Sequence, residues 1–209
     1  MKEFYEYYWS KRGLSGPRPR YKIFADWIEN SSSVFEIGCG DGYLGEYLKK
    51  NKNASYSGID ISQAAVNMAT ERGLKAGVFD IDQSPDFLKT VQCDYIIISE
   101  VIEHVINAEE IIKNSVMTAR RGVLVSIPNI AYWKFRIQLL FGNFPKQWAI
   151  SPREHLRFWS VDDFYKMINN LGFKVRDIKA SNGRKPFKDW WSNLFGLQVC
   201  FFITKISGK

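Results

Sequence analysis

Four glycines in eight positions, Gly38, Gly40, Gly42 and Gly45, follow the mostly apolar run Val34-Phe35-Glu36-Ile37. Glycine lets a backbone turn sharply and approach a ligand without a Cβ in the way, and free N–H groups at the start of the next helix attract strongly accepting groups. The pattern points to a bound cofactor. Gly40 to Gly45 fits the dinucleotide fingerprint G-x-G-x-x-G, with Asp60 where a ribose-binding acid belongs. Glu36 and Gly38 precede that fingerprint, however, and make the full pattern acid-x-Gly-x-Gly-x-Gly, so the fingerprint alone does not decide the cofactor. Glu36 ends a buried strand and needs a partner in either case. Further down lie Asp80, in VFDID, and the run Ser99-Glu-Val-Ile-Glu-His-Val105. His104 and His155, the two histidines of the chain, are candidate bases because imidazole titrates near neutrality. Cys39, Cys93 and Cys200 show no C-x-x-C spacing, and no cluster of His, Cys and carboxylates has metal-ligand spacing, so neither a disulfide framework nor a metal is expected.

These groups must be held by an alternation of short apolar runs and helical patterns, the signature of a mainly parallel sheet. Strands are predicted at 33–37, 54–60, 75–79, 93–98, 122–127, 173–179 and 197–204, and helices at 20–29, 42–51, 62–72, 107–119 and 161–171. The last helix opens at Ser160, a side chain suited to an N-cap, before Val161, Phe164, Met167, Ile168 and Leu171 at helical spacing. The short 186–195 connection predicts a seventh strand inserted antiparallel beside the sixth, closing the sheet edge. The expected fold is therefore α/β, a Rossmann-like seven-stranded mainly parallel sheet with helices on both faces and an antiparallel last strand. Two segments stand outside it. Residues 1–20 read as an arm, extended through SGPRPR, and 129–159 as an insertion dense in aromatic residues, a candidate cap. There Tyr132 and Trp133 are candidate walls of an acceptor site, and the same aromatics suit a protein or homodimer interface.

The 209 residues include 45% hydrophobic and 24% charged residues, a composition that folds around a core and excludes disorder. No apolar stretch approaches the ~20 residues that span a bilayer. The N-terminus carries no apolar leader, so cytoplasm is the expected compartment. The net charge of +7 is scattered, with no basic run longer than two, which argues against a nucleic-acid footprint. The chain also lacks Pro-Pro-Tyr after the fourth strand and a Pro-Cys nucleophile, the groups used in base methylation.

The acid-x-Gly-x-Gly-x-Gly run resembles motif I of class I S-adenosylmethionine-dependent methyltransferases. In that family the second strand ends in an acid that bonds both ribose hydroxyls, matched by Asp60 with Ile61. The third ends near an acid facing the adenine amino group, matched by Asp80 with Ile81. The Ser99 to Val105 run looks like the segment that covers the cofactor in small-molecule methyltransferases. The resemblance thus implies S-adenosylmethionine as cofactor and S-adenosylhomocysteine as product, held by Glu36, Gly38, Gly40, Gly42, Asp60, Ile61, Asp80, Ile81, Ser99 and Glu100. Beyond the fifth strand, the Ile127 to Gly142 run and Pro152 to Trp159 are similar to the MetW-like family of methionine biosynthesis, a match running from about 20 to 180. The Glu103-His104 pair departs from that family's pattern and is more typical of methyltransferases in quinone or sugar pathways. The resemblance implies one methyltransferase domain over 1–209 acting on a small-molecule acceptor. The family also implies an alternative, a cofactor-binding regulatory or partner subunit of a methionine-pathway acyltransferase. As a cofactor ligand alone, Asp60 would be replaceable by Ala with little loss of stability.

Overall fold

The computed structural model describes residues 2–146 and 155–206. Five strands run parallel: β1 (Ser33–Ile37), β2 (Ser55–Asp60), β3 (Lys75–Val78), β4 (Tyr95–Ser99) and β5 (Gly122–Pro128). With β6 (Lys174–Gly183) and β7 (Gly196–Thr204) they form one sheet in the order β3-β2-β1-β4-β5-β7-β6. The strand bounds follow the apolar runs because a parallel strand covered on both faces must be apolar on both, as Ile96, Ile97 and Ile98, all fully buried, illustrate. β7 pairs antiparallel with β6, as expected, and also with β5. It therefore lies inside the sheet, and β6 forms the edge that β7 was expected to close.

Helices cover both faces. On one, Phe24 and Ala25 of α2 (Pro19–Trp27) and Leu44 and Leu48 of α3 (Tyr43–Lys52) pack with Val34, Tyr56, Ile97, Leu124 and Phe202. α4 (Gln63–Glu71) follows β2, its N-cap Ser62 Oγ accepting from Ala65 N. On the other face, Ile111 and Ile112 of α5 (Ala108–Thr118) and Phe164 and Ile168 of α7 (Val161–Asn170) pack with Ile96, Ile98 and Phe201. Ser160 caps α7 as expected, its Oγ accepting from Asp163 N at 3.0 Å. A last helical turn, α8 (Ser192–Phe195), leads into β7.

The two segments outside the repeat are structured differently from the sequence expectation. The arm begins as a helix, α1 (Lys2–Lys11), and is extended only beyond it. Gly13, Gly16 and Pro17 act after α1 has ended, and Pro19 starts α2 at a first-turn position, where a missing N–H costs nothing. In the insertion, α6 (Trp133–Leu140) leaves β5, and the ends are stapled together. Asn129, fully buried, donates from Nδ2 to Gly196 O at 2.8 Å and to Asn193 O at 3.0 Å, while Ile130 N donates to Trp159 O at 3.0 Å. Trp148 and the Pro152-Arg153-Glu154 start of the second family-like run lie outside the described residues. Among the described residues no helix is long and apolar enough to cross a membrane.

Candidate functional site

The strand order reverses direction between β1 and β4, the place where open α/β sheets leave a crevice at the carboxyl ends of their strands. A cleft of about 990 Å³ opens there, and of the residues nominated for the cofactor and as bases all line it except Gly42, which sits behind it as the N-cap of α3. Gly38 and Gly42 have φ of +72° and +77°, so both turns need glycine. The loop is fixed from below by β2. Gly38 N and Cys39 N donate to Ile59 O at 2.8 and 2.9 Å, and Gly40 N donates to Asp60 Oδ2 at 2.9 Å.

Asp60 does two jobs with one carboxylate. Its Oδ1 accepts from Ser62 N at 3.0 Å, so the side chain joins the glycine loop to the start of α4 while it faces the cleft. Burial raises its pKa against the pull of those backbone donors. Glu36 finds the partner it required in Tyr56, whose hydroxyl donates to Oε2 at 2.6 Å. Burial nevertheless pushes the Glu36 carboxyl up to about 8. Asp41, buried beside the same loop, is held by Arg72 at 3.1 Å and accepts from Ser15 N at 2.5 Å. Asp80 lies two residues beyond β3 and accepts from Asp82 N at 3.1 Å. Asp82 in turn accepts from Ile106 N and Asn107 N, tying this corner to the start of α5.

Several site residues were not nominated from the sequence. α1 lies across the glycine-loop side of the cleft: Trp9 packs so close to Gly40 that a Cβ there would meet its ring at 2.7 Å. Glu6 accepts from Ser62 Oγ at 2.8 Å. Phe4, Tyr5, Tyr8 and Trp9 all line the cleft, and their spacing of four along a helix is the signal that could have found them. Arg20, from α2, donates from Nε to Ser99 Oγ at 2.8 Å. On the other side the cleft is walled by Pro128, Phe135, Lys146 and His155. Tyr132 and Trp133, the expected acceptor walls, do not line it. Tyr132 is buried in packing at the start of α6, and Trp133 lies under the Arg184 guanidinium at 5.0 Å.

The two histidines meet although they lie far apart in sequence. Leu156 N and Arg157 N donate to Glu103 O at 2.9 and 3.2 Å, and Arg157 is clamped to Glu109 at 2.6 Å, which carries His155 to the turn after β4. The His104 and His155 rings stand edge to face at 4.7 Å, with Tyr5 at 5.7 Å from His104. Glu103 is 1% exposed, and burial beside Glu100 drives its pKa well up. Residues distant in sequence are thus brought together by the fold: Glu103, His104 and His155 present side-chain atoms within 4.8 Å of one another.

Solved structures share this architecture. The magnesium protoporphyrin IX methyltransferase from Synechocystis PCC 6803 with bound SAH is 16% identical with a TM-score of 0.66, over 98% of this chain and 94% of that one. A SAM-dependent methyltransferase from Archaeoglobus fulgidus is 16% identical with a TM-score of 0.66, over 99% and 95%. A SAM-dependent methyltransferase, possible histamine N-methyltransferase, from Thermotoga maritima is 19% identical with a TM-score of 0.63, over 90% of each chain. At these identities the likeness carries the fold. No curated relative matches the chain by sequence. The model of the methionine biosynthesis protein MetW family matches residues 18–203, nearly the whole length from α2 to the end of β7, and the chain belongs to that family.

Proposed function

We propose that the cleft binds S-adenosylmethionine and that the chain transfers its methyl group to a small-molecule acceptor. The observation that carries this reading is the set of acidic groups around the glycine loop. Glu36, Asp41 and Asp60 are all buried there, near enough together that they add to the burial that raises the Cys39 thiol, and Arg72 offsets one of them. A pyrophosphate laid on this loop would meet the Asp60 carboxylate and would hold Glu36 as the neutral acid, whereas a ligand carrying a sulfonium and an ammonium favours the ionised form of both groups and is attracted by it. That favours the sulfur cofactor over a dinucleotide. The donor set fits it as well: Asp60 and Asp80, at the ends of adjacent strands, offer acceptors for ribose hydroxyls and an adenine amino group, and a cleft of about 990 Å³ has room for a nucleoside and an acceptor.

When bound, the cofactor supplies a methyl group already activated by its sulfonium. The protein's share is orientation and exclusion of water. Asp60, fixed by Gly40 N and Ser62 N, and Asp80, fixed by Asp82 N, orient the donor. α1 covers that side through Trp9, and Phe135 and Pro128 give the acceptor side an apolar wall. The test is transfer of label from methyl-labelled S-adenosylmethionine into a small-molecule extract. Labelled products that disappear in Asp60→Ala support the reading, and no product above a protein-free control overturns it.

The exposed apolar residues of the α6 segment, Leu140 at 81% and Phe141 at 75%, favour a second reading, in which the chain serves as a partner subunit of another enzyme. Stable co-purification of a second protein, lost in Leu140→Ser with Phe141→Ser, would support it.

A further inference from the structure

We infer that Glu103, His104 and His155 form a binding site for a divalent transition-metal ion on the acceptor side of the cleft. The three ligand atoms lie within 4.8 Å of one another. Three atoms bound tetrahedrally to one ion at about 2.1 Å stand ~3.4 Å apart, so atoms up to 4.8 Å apart each move inward by at most about 0.8 Å, within the reach of small side-chain rotations. Two imidazoles with one carboxylate suit zinc, cobalt, manganese or iron rather than calcium or magnesium, which prefer all-oxygen sites.

The surroundings ask for a cation. Glu103 is buried, and its Oε2 has no hydrogen-bond partner among the described residues. Glu100 turns a second carboxylate toward the same place. Its Oε2 accepts from Gln198 Nε2 at 2.8 Å, while Oε1 is buried and likewise without a partner among the described residues. A buried carboxyl oxygen of Glu103 and one of the half-buried Glu100, both without a donor among the described residues, are costly unless a cation or a proton is held beside them, and Glu103 Oε1 lies 3.8 Å from His104 Nε2. Arg20, the nearby guanidinium, directs Nε to Ser99. Glu100 also sits at a φ of +55°, a strained conformation for a residue with a Cβ, of the sort held at ligand sites.

The ligands are held firmly. His155 comes from the returning end of the insertion, and the two bonds from Leu156 N and Arg157 N to Glu103 O lock that end to the turn bearing Glu103 and His104. All three ligands line the cleft, so open coordination positions would face it and take an oxygen of the acceptor. This places the histidines as ion ligands instead of bases. The oxygen-ligand consequence rests on the methyl-transfer reading, whereas binding of the ion does not.

The test is titration of the full-length, tag-free, metal-stripped chain with cobalt(II), followed by visible absorption, with no S-adenosylmethionine present. A one-to-one complex with d–d bands is expected, weakened at least tenfold in His155→Ala and in Glu103→Gln. The buried cysteines Cys39, Cys93 and Cys200 are not competing ligands. Should Glu103→Gln fail to fold, His155→Ala decides alone, since His155 is part-exposed near a chain return. No cobalt complex together with no zinc or manganese retained on dialysis, or binding unchanged in His155→Ala, overturns the inference. S-adenosylhomocysteine affinity measured on the same samples keeps failure of the ion site apart from failure of the donor site.

Discussion

Replacing Asp60 with alanine should cost both cofactor affinity and stability, because its carboxylate serves the ligand and the backbone at once. Two buried N–H groups, Gly40 at 2.9 Å and Ser62 at 3.0 Å, lose their acceptor. Each orphaned donor costs about 1–3 kcal/mol, so the fold should lose about 2–6 kcal/mol. The carboxylate itself is destabilised by burial, which returns part of that loss and favours the lower half of the range. For a chain of this size the melting temperature should fall by roughly 5–15 °C. The ribose bonds are charge-assisted and worth about 1.5–3 kcal/mol each, so cofactor affinity should drop by roughly a hundredfold or more. Asp60→Asn keeps one carbonyl acceptor and should melt between the two. Scanning calorimetry and isothermal titration, the latter well below the melting range, read the two effects separately. An Asp60→Ala protein that melts within about 2 °C of wild type would refute the backbone role, and unchanged affinity would refute the ligand role.

Glu36→Gln should become more stable relative to wild type as pH rises. The Glu36 carboxyl titrates near 8 in the folded chain and near its ordinary value of about 4.5 when unfolded, so between those values the unfolded state alone is ionised. Wild type therefore loses up to about 1.4 kcal/mol per pH unit from this group across that window, and the amide, still able to accept from Tyr56, does not. Melting temperatures of the pair that run parallel from pH 5 to 8 would contradict the buried neutral acid. Trp9→Ala uncovers Gly40 and should speed cofactor dissociation roughly tenfold, or about 1.4 kcal/mol, with a smaller change in melting; stopped-flow release at the wild-type rate would show that α1 does not cover the donor.

What could be read from the sequence and what could not divides along contact range. The glycine loop, Asp60 and Asp80 were legible because each lies at or within two residues of the end of its own strand, and parallel register places the ends of β1, β2 and β3 together. The Ser160 cap and the apolar face of α7 are likewise local. The meeting of His155 with Glu103 and His104 was not, because it depends on two backbone bonds from Leu156 and Arg157 that no local pattern encodes. The second role of Asp60 was hidden for the same reason: only the folded loop shows Gly40 N pointing at it. α1 was hidden in a different way. Residues 1–20 read as an arm, and the glycines and prolines of its SGPRPR end lie between two helices, Pro19 opening the second. Asn129 pins the insertion from beside Pro128, and that hinge, not the aromatic count, decides that Phe135 lines the cleft while Tyr132 packs in the interior.

A glycine loop ringed by acids should hold a sulfonium cofactor and reject a dinucleotide. Isothermal titration of the purified chain with S-adenosylmethionine, S-adenosylhomocysteine and NAD tests it most directly. The account predicts saturable one-site binding of both sulfur compounds, with no heat of binding from NAD beyond dilution. Saturable NAD binding with no response to either sulfur compound would contradict it.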